Sequence, residues 1–228
     1  MKFITKSNIA LFIALLFHVC GAIGILFTPY KDWFIQNTPV NLLLMCFLLL
    51  ITHSRKYIQF ILFFVTCYVI GFIVELIGVN TKMLFGQYQY GNVLGYKFNN
   101  VPLLIGVNWF IIIYCCANVT EKIQQWFENK YAEQSLALSE KIKTISFIID
   151  ASLLAVSFDY ILEPVAVKLN FWQWQNNHIT FFNYSSWFVI SSLLVYIYKK
   201  LKLNTVNSFA VHLFIIQLLF FIALNVYL

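Results

Sequence analysis

Long apolar runs, almost free of charge, dominate this chain and decide what solvent it folds in. The runs are Ile9–Phe27, Pro39–Ile51, Tyr57–Ile77, Val101–Val119, Ile145–Val167, Tyr184–Tyr198 and Val206–Leu228. A helix that crosses a bilayer needs about 20 apolar residues, each rising about 1.5 Å. The apolar residues fall in blocks and do not alternate, which excludes the period-2 pattern of an outer-membrane barrel. Within hydrocarbon, only helices and closed barrels satisfy their own backbone. The expected fold is therefore an all-α, polytopic integral membrane bundle: one transmembrane domain over residues 1–228, with about seven transmembrane helices. The second and sixth runs are short, so their helices either extend into the flanks or sit tilted against neighbours. Only 11% of the 228 residues are charged, well under the roughly 25% of soluble domains.

Lys2 and Lys6 precede the first run as they would in a signal peptide. The run is too long for one, and Thr28, Pro29 and Tyr30 offer no small-residue cleavage site, so it reads as a retained helix. Pro39 behind Thr38 reads as a first-turn proline behind a cap, and Asn204–Thr205 as a cap for the last helix. The connector over residues 120–144, with four Glu and four Lys, reads as an amphipathic or solvated helix.

The net charge of +6 is not a nucleic-acid signal, because the basic residues sit in short connectors. They report orientation instead. With the N-terminus in the cytoplasm and seven spans, the cytoplasmic side holds Lys2, Lys6, Arg55, Lys56, Lys122, Lys130, Lys141, Lys143, Lys199, Lys200 and Lys202. The outer side holds Lys31, Lys82, Lys97 and Lys168. That bias of eleven to four fits the positive-inside rule.

Ionisable groups inside a span are costly, so each one is a functional candidate. Glu75 ends the third span. Asp159 and Glu163 lie four apart, on one face of the fifth span and about 21 and 27 Å along it from Ile145. Asn108 and Trp109 begin the fourth span; Trp172, Trp174, Asn183 and Trp187 flank the next outer connector. The alternating directions of the spans bring all of these to one level of the bilayer. For the tryptophans the plain alternative is an interfacial aromatic belt; for the acids it is a structural hydrogen-bonded network. Pro164, directly after Glu163, marks a kink or the helix end. Asp150 lies on the opposite face, near the interface. His18 and His212 read as buried, satisfied histidines.

The five cysteines (Cys20, Cys46, Cys67, Cys115 and Cys116) all lie in apolar runs without a CxxC. They read as packing residues, with no disulfide framework and no metal site expected. No HxxxH or HxxHH box, no DDxxD pair and no GxGxxG after a strand is present, and the last span has no lysine. These patterns argue against a di-iron oxygenase, a magnesium-dependent prenyl transferase, a flavin desaturase and a retinal protein. Pores and secondary transporters stay open.

Glu75, Gly78, Thr81, Phe85, Gly86, Tyr88 and Tyr90 follow the spacing E-x-x-G-x-x-T-G-x-x-F-G-x-Y-x-Y, with Lys82 in place of the second glycine. Val101–Pro102, Asn108–Trp109, Phe158–Asp159–Tyr160, Glu163–Pro164–Val165–Ala166 and Trp172–Gln173–Trp174 come next in order. Asn183 and Trp187 form an N-x-x-x-W, preceded by Thr180 in place of proline. In this order and spacing the chain resembles the carotenoid biosynthesis membrane proteins typified by carotenoid 1,2-hydratases. The resemblance implies hydration of the terminal 1,2 double bond of an acyclic carotenoid end, like that of lycopene or γ-carotene, in a bacterial cytoplasmic membrane. It implies a polyene lipid substrate, membrane lipid and other enzymes of that pathway as partners, and no cofactor.

Such chemistry needs a carboxylic acid to protonate the alkene, giving a tertiary cation, and a second polar group to position water. Asp159 is then the expected acid, Glu163 its partner, and Glu75 with Asn108 the water-orienting pair. Trp109, Tyr88, Tyr90, Trp172, Trp174, Asn183 and Trp187 position the substrate and water, and the aromatic faces among them steady the cation. A carotenoid cyclase shares the protonation step, with an internal alkene capturing the cation. A transporter or lipid-binding protein would use the acids for coupling, although the two halves show no repeat symmetry.

Overall fold

The computed structural model describes residues 5–53, 57–131, 139–175, 178–203 and 205–228. Eight helices follow in chain order: α1 (Lys6–Phe27), α2 (Lys31–Gln36), α3 (Thr38–Thr52), α4 (Tyr57–Thr81), α5 (Ile105–Tyr131), α6 (Glu140–Lys168), α7 (Phe181–Lys200) and α8 (Ser208–Tyr227). Four short strands interrupt them: β1 (Tyr88–Tyr90), β2 (Lys97–Phe98), β3 (Val101–Pro102) and β4 (Trp172–Trp174). Lys2, Arg55 and Lys56 of the charge count, and Asn204 of the expected cap, lie outside the described residues.

Five helices, α1, α4, α6, α7 and α8, are long and apolar enough to cross a membrane. They turn large apolar side chains outward, among them Phe12, Ile58, Leu62, Leu153 and Val189. Such a surface is stable only against lipid, and the chain is a multi-pass membrane protein. The short sixth run becomes a full 20-residue helix, α7. The short second run stays short, as the 15-residue α3. Helix α5 occupies the centre, in contact with α3, α4, α6, α7 and α8. Its residues from Trp109 to Ala117 are buried without interruption. Protein surrounds that stretch, so the helix tolerates Asn108 and Asn118 beside it, and its largely exposed continuation with Lys122, Glu128 and Lys130 makes it read less apolar than its neighbours.

Several boundaries correct the expectation. The fourth run does not begin helical. Asn99 and Asn100 adopt φ of 45° and 67°, the left-handed pair of a tight hairpin turn. They fold Val101–Pro102 back on Lys97–Phe98 as β3 on β2. The helices overrun the fourth and fifth runs, α5 to Tyr131 and α6 from Glu140, so the connector over 120–144, expected as a helix of its own, is in its described parts the ends of these two. Lys143 binds Glu128 at 2.8 Å across the two extensions. The cap of α8 is Asn207, whose side chain accepts from the Phe209 amide. Asn37 precedes α3, but its side chain bonds back to the Trp33 carbonyl and does not cap. Helix α6 passes through Pro164 and ends at Lys168, so the proline is not the helix end.

Two ends of the bundle are distinguishable by their contacts. At one, the chain between α4 and α5 meets the chain between α6 and α7 as β1 pairs with β4. At the other, Asn207 donates to Thr52 and, through its amide, to Asn118, and Lys199 binds Glu121. Every acid proposed for chemistry lies toward the first end.

Candidate active site

Three elements bring the acids together. Glu75 lies in the last third of α4, and Asp159 and Glu163 share the inner face of α6. They are 5%, 1% and 2% exposed. After α6, Asn170 takes a left-handed φ of 58°. The Phe171 amide bonds back to the Ala166 carbonyl at 2.8 Å. This closure reverses the chain and launches β4 over the end of the helix.

β4 pairs antiparallel with β1 in the register Tyr88 to Trp174, Gln89 to Gln173 and Tyr90 to Trp172. Strand side chains alternate in direction, so Tyr88, Tyr90, Trp172 and Trp174 share one face. That face covers the acids. Tyr88 and Tyr90 both donate their hydroxyls to Glu75 Oε2, the latter at 2.7 Å, and Trp109 Nε1 donates to Glu75 Oε1 at 2.9 Å. Trp172 and Trp174 donate to Glu163 Oε2 at 2.9 and 2.7 Å. Asn183, in the first turn of α7, donates from Nδ2 to Asp159 Oδ2 at 2.7 Å and to Glu163 Oε1 at 3.4 Å. Burial first, then the charge of Glu75, holds the Tyr88 and Tyr90 phenols well above the usual tyrosine range, so both remain donors.

The tryptophans are therefore not a simple interfacial belt. Trp109 and Trp187 stack face to face at 3.9 Å, and Tyr88 leans on Trp174 at 5.0 Å. Gly71 makes room for Trp109, since a Cβ there would sit 2.5 Å from the indole Cγ. Lys82, the departure from the glycine pattern, adopts that glycine's conformation itself, with φ of 61°. Thr180, the departure from proline, caps α7 by accepting from the Asn183 amide and donates to the Phe85 carbonyl at 2.7 Å. It pins the chain ahead of β1 to the start of α7.

Among the described residues no cation pairs with any of the three acids, and no group of His, Cys, Asp and Glu could hold a metal ion. The cysteines are free, and only Cys20 is exposed. Asp150 is exposed and accepts from Ser146, away from the site. His212 is half-buried, its ring bonded to the Ser208 carbonyl of its own helix.

Asn108 does not join Glu75. It lines a separate cavity of about 590 Å³ between α1, α3, α5, α6 and α8. Trp172 belongs to both places, lining the cavity and bonding Glu163. Asn41 and Gln217, polar cavity residues inside apolar runs, escape the sequence reading. Their only signal is a polar side chain inside an apolar run.

The family model for carotenoid biosynthesis proteins matches residues 37–228, from the residue before α3 to the end of the chain. No curated protein and no solved structure matches the chain.

Proposed function

Because the chain belongs to the carotenoid biosynthesis protein family, we propose that it is a carotenoid hydratase, adding water across the terminal 1,2 double bond of an acyclic carotenoid end. One observation carries this reading: three buried carboxyls held by neutral donors alone, inside a shell of aromatic rings. Burying carboxyls without a cation is expensive, and such an arrangement marks a site of chemistry.

Asp159 is the proton donor in this reading. Among the described residues it receives one side-chain hydrogen bond, from Asn183, which leaves an oxygen to carry the proton. Glu75, with three donors, is suited to the anion and orders Tyr88, Tyr90 and Trp109 around it. The alkene π pair takes the Asp159 proton at its less substituted carbon. The positive charge left on the tertiary carbon faces the aromatic rings, which stabilise it. Water reaching the cation from the cavity that Asn108 lines adds through its oxygen. Its surplus proton passes to Glu163, and one proton again resides on the Asp159–Glu163 pair. The cycle consumes only water and an alkene, so it calls for no metal or organic cofactor.

In the same reading α3 and α5 complete seven crossings of a bacterial cytoplasmic membrane, with the N-terminus inside. Among the described residues, Lys31, Lys82, Lys97 and Lys168 are the lysines that end or follow α1, α4 and α6 toward the acid end, and so few basic residues there support this orientation.

Expression in a lycopene-producing host, followed by mass spectrometry of the carotenoids, tests the reading. A product heavier by one water is expected. The dryness of the acids favours one second reading, a cyclase, in which an internal alkene replaces water and the product is isobaric with its substrate. Unaltered carotenoids in cells whose membranes contain the protein would refute both.

A further inference from the structure

The cavity beside the acids is not purely a hydrocarbon slot. Most of its wall is apolar, with Phe158, Leu162 and Phe221 among the lining side chains. Neutral polar residues interrupt that wall: His18 of α1, Asn37 beside α3, Thr38 and Asn41 of α3, Asn108 of α5 and Gln217 of α8. Among the described residues no carboxylate, lysine or arginine lines it. Its volume of about 590 Å³ falls within the range of small-molecule sites.

The hydrogen-bonding state of these groups identifies what is missing. His18 is 5% exposed, and its Nδ1 lies 2.8 Å from the Ala14 carbonyl. A carbonyl only accepts, so Nδ1 donates, and in the neutral ring Nε2 is left as an acceptor. Asn41 Oδ1 is buried without a hydrogen-bond partner. Gln217 is 9% exposed, and among the described residues its amide makes no side-chain hydrogen bond. The Asn41 oxygen has almost no accessible surface and lies beyond an occupant's reach. His18 Nε2 therefore waits on a donor, and the Gln217 amide can donate or accept. A wholly hydrocarbon occupant would leave both unpaired, which is costly in a buried site. A carbonyl or ether oxygen cannot donate to His18, whereas a hydroxyl both donates and accepts.

We infer that this cavity binds the neutral, hydroxyl-bearing end of an acyclic isoprenoid, the hydroxyl donating to His18 Nε2 and accepting from the Gln217 amide. The isoprenoid part of the assignment rests on the proposed carotenoid reading; the hydroxyl part rests on the cavity. Trp172 forms the wall between this site and Glu163, so a hydroxylated end occupies the cavity one side chain away from the acids. The chain would then hold a hydrated product end, or an isoprenoid already oxygenated by an earlier hydroxylating or hydrating step.

The test is equilibrium binding to the purified full chain in lipid nanodiscs, read by quenching of intrinsic tryptophan fluorescence, since Trp33 and Trp172 line the cavity. The probes are geranylgeraniol and the hydroxyl-free hydrocarbon of the same skeleton. The alcohol is expected to bind about tenfold more tightly, as one to two net hydrogen bonds would provide. His18→Phe and Gln217→Leu are each expected to erase that preference while leaving hydrocarbon binding intact. Equal binding of the two probes, which would mean that water alone occupies the polar groups, overturns the inference. So does a preference that survives both substitutions, or failure of both probes to bind. Binding is read without turnover. A host that accumulates no hydrated carotenoid, together with an intact alcohol preference, would sink the hydratase and leave this site standing.

Discussion

Tyr88 lies directly opposite Trp174 in the β1–β4 ribbon, yet the two side chains donate to different carboxyls, Tyr88 to Glu75 and Trp174 to Glu163. The ribbon thus couples acids on two helices that otherwise lack a bond to each other. Tyr88→Phe and Trp174→Phe each remove one donor to a charged or chargeable group, worth about 1.5–3 kcal/mol. Each is expected to slow turnover roughly ten- to hundredfold. Because both act through one ribbon, the double variant should fall short of the product of the two losses. Product yield from purified protein measures the cycle; strictly multiplicative losses would mean that the two acids work independently.

Asp159→Asn keeps the shape of the side chain and removes its proton. Hydration should drop at least about a hundredfold, the scale of a lost general acid. The melting temperature in detergent should hold or rise, because a costly buried carboxyl is gone. A variant that loses stability and activity together would assign Asp159 a structural role instead.

The acid cluster was legible in the sequence for a simple reason. Glu75, Asp159 and Glu163 each interrupt an apolar run, and counting run directions brings them to one end. The ribbon above them was not legible, because three-residue strands such as Tyr88–Tyr90 carry no usable period and their partner lies far along the chain. The extent of α5 was obscured because the helix leaves the apolar run after Val119 and continues to Tyr131 as a largely exposed stretch with Lys122, Glu128 and Lys130, which carries no apolar run. The cavity was hidden because its wall is assembled from helices distant in sequence, and no one of them encloses it. His18 was visible as a polar residue in a span, but its open Nε2 depends on the Ala14 contact, which only the structure supplies.

Gly71→Ala tests how closely Trp109 must approach α4. The new Cβ would lie 2.5 Å from Trp109 Cγ and 2.6 Å from its Cβ, so the indole must shift away from Glu75 or slide on Trp187. Such overpacking costs about 1–3 kcal/mol. Thermal unfolding should show the loss, and tryptophan emission should change as the Trp109–Trp187 stack opens. An unchanged spectrum with unchanged stability would contradict the tight approach.

Thr180 joins two parts of the site, capping α7 just before Asn183 and holding the Phe85 carbonyl. Thr180→Ser keeps the hydroxyl and should behave as the parent protein. Thr180→Val removes the cap, worth about 1 kcal/mol, and also leaves Phe85 without its donor. Both melting temperature and product yield should fall for valine alone. Equal behaviour of serine and valine would show that the hydroxyl is idle.

Lys82 carries a left-handed backbone, with φ of 61°, at the turn that sends the chain from α4 toward β1. A side chain in that region is strained by its own Cβ, a penalty glycine escapes. Glycine also gives the unfolded chain more freedom, which offsets part of the gain. Lys82→Gly should therefore stabilise the protein by about 0–1 kcal/mol, with product yield unchanged because the lysine bonds none of the acids. Lys82→Val is the opposing control: a β-branched residue is the least tolerant of positive φ, and its melting temperature should drop below that of the parent. If glycine and valine shift the melting temperature in the same direction, the turn does not hold residue 82 in the left-handed region.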